Sequence, residues 1–208
     1  MDILLVHGLG RTPYSMQSLG TFLKQWGHRP HYFGYAAFAE SYDHIVMRLQ
    51  QRLRQAITQP SLSYNYAIVA HSLGGLLSRS ALMDQTIAPP QSLIMLGTPN
   101  QSPQAARWAW KLWPFQWFSG QCGANLSNAD FFLTLPHPHF PYHIIAGTGG
   151  WSGWGSPFGS TVNDGLVTIH ETRISDRDSI LEFPVFHTFM MNDPAIQQVV
   201  VNLLTHAR

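Results

Sequence analysis

Tyr66-Ala67-Ile68-Val69-Ala70-His71-Ser72-Leu73-Gly74-Gly75-Leu76-Leu77 governs how the rest of the chain is read. Ala67 to Val69 is an apolar run with β-branched residues and reads as a buried strand. From Gly74 to Met83, the positions of Leu76, Leu77, Arg79, Ser80 and Leu82 suit a helix packed on one face. Ser72 stands between the two, with Ala70, Gly74 and Gly75 at the points of closest contact. A sharp strand-to-helix turn leaves little space for neighbouring side chains, so small residues are needed there and the hydroxyl is left exposed. A serine that merely caps a helix would give the same pentapeptide, so its role has to be read from the rest of the chain.

Nearer the N-terminus, Ile3-Leu4-Leu5-Val6 is a short continuous apolar run of the kind buried on both faces of a parallel sheet. It ends in His7-Gly8-Leu9-Gly10-Arg11-Thr12-Pro13, where Thr12 is placed to cap a helix beginning at Pro13. Met16, Leu19, Leu23 and Trp26 then recur at helical spacing. His31-Tyr32-Phe33 reads as a second strand. Ser41 or Asp43 opens a helix to about Thr58, with Ile45, Leu49, Leu53 and Ile57 inward and an arginine- and glutamine-rich face outward; Pro60 stops it. Ser92 to Leu96, Tyr142 to Ala146 and Ile180 to Phe183 read as further strands. Asp193 caps a last helix with Pro194 at its first position. Strands alternating with helices predict an α/β architecture: a doubly wound, mostly parallel sheet with helices on both faces, in one domain spanning residues 1–208. Sites in such sheets lie at the carboxyl ends of the strands, where His7-Gly8, Ser72 and Gly97-Thr98-Pro99 all fall.

Composition narrows the function. Hydrophobic residues make up 45% and charged residues 11% of the 208 positions, against a charged share of roughly a quarter in ordinary globular domains. The formal net charge is +1 with no basic block, which argues against a nucleic-acid partner. Cys122 is the single cysteine, so no intrachain disulfide can form. The N-terminal apolar run is too short for a signal peptide, and no run approaches a membrane span, so a cytoplasmic location is expected, with peripheral membrane contact left open.

The turn around Ser72 resembles the nucleophile elbow of the α/β-hydrolases, with Ala70 where glycine is commoner. A serine hydroxyl needs a base to take its proton, and the base needs an acid to orient it. In that fold class the chain order is serine, acid, histidine. This order disfavours His7, His28, His31 and His44; His71 is adjacent to Ser72 and is expected to point away from it. His170 and His187 remain, and His187, in the loop between the last strand and the last helix and shielded by Val185, Phe186, Phe189 and Met190, is the preferred base. Asp164, in Asn163-Asp164-Gly165-Leu166-Val167, is the preferred acid; Glu171 follows it, and Asp130, Asp176 and Asp178 are rivals. An oxyanion hole would take one amide from Leu73 and one from Leu9, where Gly8 permits close approach. His7 is expected to pin that loop.

His7-Gly8-Leu9-Gly10, Ala70-His71-Ser72-Leu73-Gly74-Gly75, Gly97-Thr98-Pro99, Asn163-Asp164-Gly165-Leu166-Val167 and His187-Thr188-Phe189 occur in the order seen in small bacterial lipases and esterases of the α/β-hydrolase superfamily. They also resemble the core of GPI-inositol-deacylase-like lipases. The resemblance implies hydrolysis of carboxylic esters through an acyl-enzyme, with no cofactor. Asn100-Gln101-Ser102-Pro103 departs from the His-x-Gly-Ser of many lipases.

Trp108, Trp110, Trp113 and Trp117 crowd one segment with Phe115 and Phe118, and Lys111 is the only charge among them. An aromatic cap or lid at about 101–135 is expected, forming an acyl-pocket wall or a surface that touches lipid. The glycine-rich stretch from Gly147 to Gly165, with Trp151 and Trp154, leads into Asp164 and is either a tightly wound loop or a mobile one that the tryptophans dock over the site as a flap. His137-Pro138-His139 is too sparse for a metal site, and no metal is expected. The expected partner is a small-molecule or lipid ester; no protein partner is implied. Acyl transfer or thioester hydrolysis by the same residues, and a non-catalytic lipid-binding module on the same fold, are the rival readings.

Overall fold

The computed structural model describes residues 1–58 and 65–206. The strands are β1 (Asp2–Val6), β2 (Arg29–Phe33), β3 (Tyr66–His71), β4 (Leu93–Leu96), β5 (Tyr142–Gly147) and β6 (Ile180–Phe183). All pair in parallel, in the order β2-β1-β3-β4-β5-β6. Every residue of β1, β3 and β4 is buried, which is why Ile3 to Val6, Ala67 to Ala70 and Leu93 to Leu96 are unbroken apolar runs and not alternating ones.

Alternation is nevertheless present, since successive side chains leave a strand on opposite faces. Leu4, Val6, Ile68, Ala70, Leu93 and Met95 enter one core together with Ile45, Leu49 and Leu53 of α2 (Tyr42–Thr58) and Leu76 and Leu77 of α3 (Leu73–Ala81). Ile3, Leu5, Ala67, Val69, Ile94 and Leu96 enter the other, with Leu19 and Leu23 of α1 (Gln17–Gln25) and Ile196, Val200 and Leu204 of α7 (Pro194–His206). Trp26, expected on the inner face of α1, is 54% exposed because it lies past the last turn of that helix. The inward placement of Ile57 and the stop at Pro60 lie outside the described residues.

Helix starts follow local chemistry. Ser41 Oγ accepts the His44 amide at 3.2 Å, and Asp193 Oδ1 accepts the amides of Ala195 and Ile196 at 2.9 and 3.0 Å. Thr12 differs from expectation. It holds the extended conformation of a cap, but its side chain caps nothing. Pro13 opens a 3₁₀ turn instead (Pro13–Met16), and the Thr12 carbonyl accepts from both the amide and the hydroxyl of Ser15.

Between β4 and β5 lie α4 (Gln104–Ala109), α5 (Trp113–Ser127) and α6 (Ala129–Thr134). Gly120 breaks α5, with φ 49° and ψ −138°. Beyond the break, Cys122 and Leu126 belong to the same core as α2 and α3. Before it, Trp113 and Trp117 are 76% and 75% exposed. The segment expected to be a cap thus divides into a part built into the body and a part that is not. Among the described residues no helix is long and apolar enough to cross a membrane.

Candidate active site

The turn from β3 into α3 bends at Ser72, whose φ of 53° and ψ of −124° make it the one non-glycine residue with positive φ among the described residues. Such a conformation costs roughly 1–3 kcal/mol and persists only where its surroundings hold it. Here the Ser72 amide donates to Leu96 O at 2.9 Å, and Thr98 Oγ1 donates to Ser72 O at 3.0 Å. The small residues after Ser72 have identifiable neighbours. A Cβ at Gly74 would stand 2.5 Å from Val6 O and 2.6 Å from His7 O, and one at Gly75 would stand 2.2 Å from Thr98 Oγ1.

His187 opens the 3₁₀ turn that follows β6. Its Nε2 lies 2.9 Å from Ser72 Oγ, and its Nδ1 lies 2.7 Å from Asp164 Oδ2. A carboxylate accepts, so Nδ1 carries the proton and Nε2 is free to accept from the hydroxyl. Asp164 is fixed by a turn of its own sequence: Oδ1 accepts the amides of Leu166 and Val167 at 2.9 and 2.7 Å, and its carbonyl accepts the His187 amide at 2.9 Å. Gly165 at φ 97° and the Asn163 side chain, which accepts the Gly165 amide at 2.8 Å, complete that turn. Gly97 is also required here. At φ 57° it sits against the pair, and a Cβ on it would stand 3.0 Å from His187 Nδ1 and 3.2 Å from Asp164 Oδ2.

The other candidates fall elsewhere. His170 is exposed. Glu171 is buried, but its carboxylate accepts the amides of Gln104 and Thr168, which tethers the start of α4. Asp178 closes its own turn by accepting the amides of Ile174 and Ser175 and the Tyr142 hydroxyl. Asp130 and Asp176 are exposed. Asn100 has a structural role: it accepts from the buried Arg79 guanidinium at 2.9 Å and donates to Thr172 O at 2.7 Å. Burial of Arg79 brings its pKa down to about 10.

His7 holds its loop as expected. Nδ1 donates to Gly8 O at 2.9 Å, Nε2 accepts the Tyr35 amide at 3.3 Å, and the ring stacks on Tyr35 at 4.1 Å. Burial lowers its pKa. His71 departs from expectation. It does not turn away from the site but packs within it, its ring centred 4.8 Å from that of His187 and its Nε2 bonded to the His187 carbonyl. Burial above all, with the neighbouring His187 next, pushes its pKa well below the ordinary imidazole value. Among the described residues its buried Nδ1 has no partner and faces Gly8, where a Cβ would stand 2.8 Å away. A residue larger than glycine at position 8 would meet it.

A cavity of about 330 Å³ opens beside Ser72 and His187. Its walls are largely apolar, from Leu9, Pro103, Ala105, Ala106, Ala109, Phe115, Phe118, Leu126 and Val167. None of Trp108, Trp110, Trp113, Trp117 and Trp151 lines it. The wall expected of tryptophans is made by smaller alanines and by Phe115 and Phe118, because α4 presents Ala105, Ala106 and Ala109 on one face and needs the room. That i, i+1, i+4 alanine spacing was readable in the sequence and pointed to a helix face kept small. Trp110 packs edge-on against Phe115 with ring centres 6.4 Å apart, Trp108 tilts against Phe158 at 6.3 Å, and Trp113, Trp117 and Trp151 face outward.

No protein-family profile matches the chain, and no curated protein matches it in sequence. Solved structures do. An esterase from Exiguobacterium antarcticum superposes with a TM-score of 0.70 at 13% identity, over 99% of this chain and 92% of that one. The phospholipase PlaB from Legionella pneumophila gives 0.65 at 16% identity over 84% of this chain, which spans only 46% of the phospholipase. The RedJ thioesterase of Streptomyces coelicolor gives 0.61 at 13% identity, over 100% of this chain and 90% of that one. The chain has the α/β-hydrolase fold.

Proposed function

We propose that this protein is a serine hydrolase acting on carboxylic esters with an apolar acyl chain. The observation that carries this reading is the relay from Ser72 Oγ through His187 to Asp164, with contacts of 2.9 and 2.7 Å. Ser72 Oγ attacks the ester carbonyl while His187 Nε2 takes its proton. Asp164 keeps the imidazole in the tautomer that can accept and stabilises the imidazolium that forms. The amides of Leu9 and Leu73 hold the oxyanion, each worth about 10²–10³ in rate. His187 then protonates the leaving alcohol, and water, deprotonated by the same imidazole, releases the acid.

The strain at Ser72 supports the reading, since positive φ in a non-glycine residue clusters at reactive positions. The apolar cavity supports an acyl chain as its occupant. Trp113 and Trp117, with Leu112 at 61% exposure beside them, support a lipid-like substrate met at a surface, because indole rings favour the boundary between water and apolar phase. Faster turnover of an emulsified ester than of the same ester as monomers would follow; equal rates would remove the surface contact from the reading. The likeness to a thioesterase favours thioesters as a second substrate class, tested by comparing octanoyl esters and thioesters directly.

The decisive experiment is labelling with a fluorophosphonate probe and location of the adduct by peptide mass. An adduct on Ser72, absent from Ser72→Ala, is expected. No adduct in folded protein would sink the proposal and leave the lipid-binding module in its place.

A further inference from the structure

Arg11 is the one residue with a permanently charged side chain among those that line the cavity. Its position is set by the same loop that holds Leu9. The Arg11 amide donates to Gly8 O at 3.3 Å, closing a turn through Gly10, whose φ is 65° and whose open face is filled by the Phe118 ring, 2.9 Å from where a Cβ would stand. The Arg11 backbone is therefore fixed two residues from Leu9. It is exposed, and among the described residues it forms no ion pair and no side-chain hydrogen bond. All its donors are free.

Nothing in the cavity neutralises it. No acidic side chain lines the walls. The nearest carboxylate in the machinery, Asp164, is 1% exposed, with one oxygen on His187 and the other on two amides. After burial and His187, Arg11 is among the smaller causes that lower the His71 pKa. A free, unpaired guanidinium at the rim of an apolar cavity is a ready partner for an anion, which it can bind with two parallel hydrogen bonds.

The residues that line the cavity differ in burial. Pro103, Ala106 and Leu126 are buried, whereas Arg11 and Phe118 are exposed. An acyl chain laid against the buried apolar lining would leave the alcohol or thiol side of the substrate towards the exposed lining, where Arg11 stands. We infer that Arg11 recognises an anionic group, a phosphate or carboxylate, on the leaving-group side of the substrate. This rests on the ester-hydrolase reading of the cavity and adds a substrate class to it: esters or thioesters with an apolar acyl chain and a negatively charged leaving group.

The test compares matched substrates that differ only in that charge. The first pair is ortho-nitrophenyl octanoate and the same ester carrying a ring carboxylate. Two further pairs distinguish a lipid from a soluble source: monooctanoylglycerol and its phosphate, and octanoyl-pantetheine and its phosphate. The quantity read is the ratio of kcat/KM, anionic over neutral. Arg11→Gln should lower that ratio about ten-fold, the size of one charge-assisted hydrogen bond, and Arg11→Lys by only about two-fold. Raising the salt concentration should lower the ratio in the natural protein and leave it unmoved in Arg11→Gln. The phosphate pair that shows the effect identifies the source. A ratio unchanged by Arg11→Gln in all three pairs, while the neutral esters turn over, overturns this inference alone. No turnover of any substrate, with no fluorophosphonate adduct on Ser72, overturns the hydrolase reading beneath it.

Discussion

His71 donates its Nε2–H to the main-chain oxygen of His187 across 2.9 Å. A carbonyl can only accept, so the proton sits on Nε2, and the buried Nδ1 is left bare. The residue before Ser72 thus holds the backbone of the residue that faces Ser72. His71→Phe keeps the ring volume and removes the bond. A loss of about 1–3 kcal/mol in stability is expected, with kcat lowered more than KM is raised, both read on the purified variant.

The same histidine sets a pH dependence. Burial depresses its pKa in the folded state, while in the unfolded chain it titrates near the ordinary value of about 6.5. Below that pH the unfolded chain binds a proton that the folded chain refuses, so stability falls as pH drops through about 6.5 and below. His7, also lowered by burial, contributes in the same direction. Urea midpoints measured between neutral and mildly acidic pH should fall, and the slope should be shallower in His71→Phe. An equal slope in both proteins would mean that His71 is charged when folded.

Ser72→Gly and Ser72→Ala should separate strain from chemistry. Both remove the hydroxyl, and both should lose fluorophosphonate labelling. Only glycine relieves a φ of 53°. Set against the greater freedom of glycine in the unfolded chain, roughly 0.5–1 kcal/mol, the relief of about 1–3 kcal/mol should leave Ser72→Gly the more stable of the two by calorimetry.

Asp164→Asn should be folded and nearly inert. Oδ1 accepts two amides, so the asparagine oxygen must stay there, and its NH₂ must face His187. A donor at that place forces Nδ1 to accept and puts the imidazole proton on Nε2, where it confronts Ser72. A fall of about 10⁴ in kcat is expected, with an unchanged circular dichroism spectrum.

Ala106→Phe should shorten the substrate. Ala106 is 8% exposed and lies on the cavity wall, so added ring volume takes space beside the buried lining. The chain length giving the highest kcat/KM in a series of nitrophenyl esters should drop by several carbons, with little change for the acetate.

The fold was legible because parallel strands buried on both faces must be largely apolar, and Ile3 to Val6, Ala67 to Val69 and Leu93 to Leu96 are apolar throughout. That Ser72, Asp164 and His187 would be brought together was legible because each sits in a turn with its own local signature. His71 was not, since nothing in its neighbours says that its ring reaches a carbonyl 116 positions away. The tryptophans misled for a related reason. Clustering in sequence says that a segment is aromatic, but which ring faces the cavity depends on where α5 breaks, and Gly120 gives that away only through its backbone angles. Thr12 likewise has a capping residue's identity in a turn too tight to use it.

The break at Gly120 lets one helix serve two masters. Downstream, Cys122 and Leu126 are bound to the sheet and are as constrained as any core residue. Upstream, Trp113 to Ser119 answers to the cavity on one side through Phe115 and Phe118 and to the surroundings on the other through Trp113 and Trp117. Substitutions on the outward side of that upstream turn can therefore retune what the protein meets without disturbing the framework that carries Ser72. Specificity can drift there over evolutionary time, or be redesigned, while foldability is held constant by the other half of the same helix.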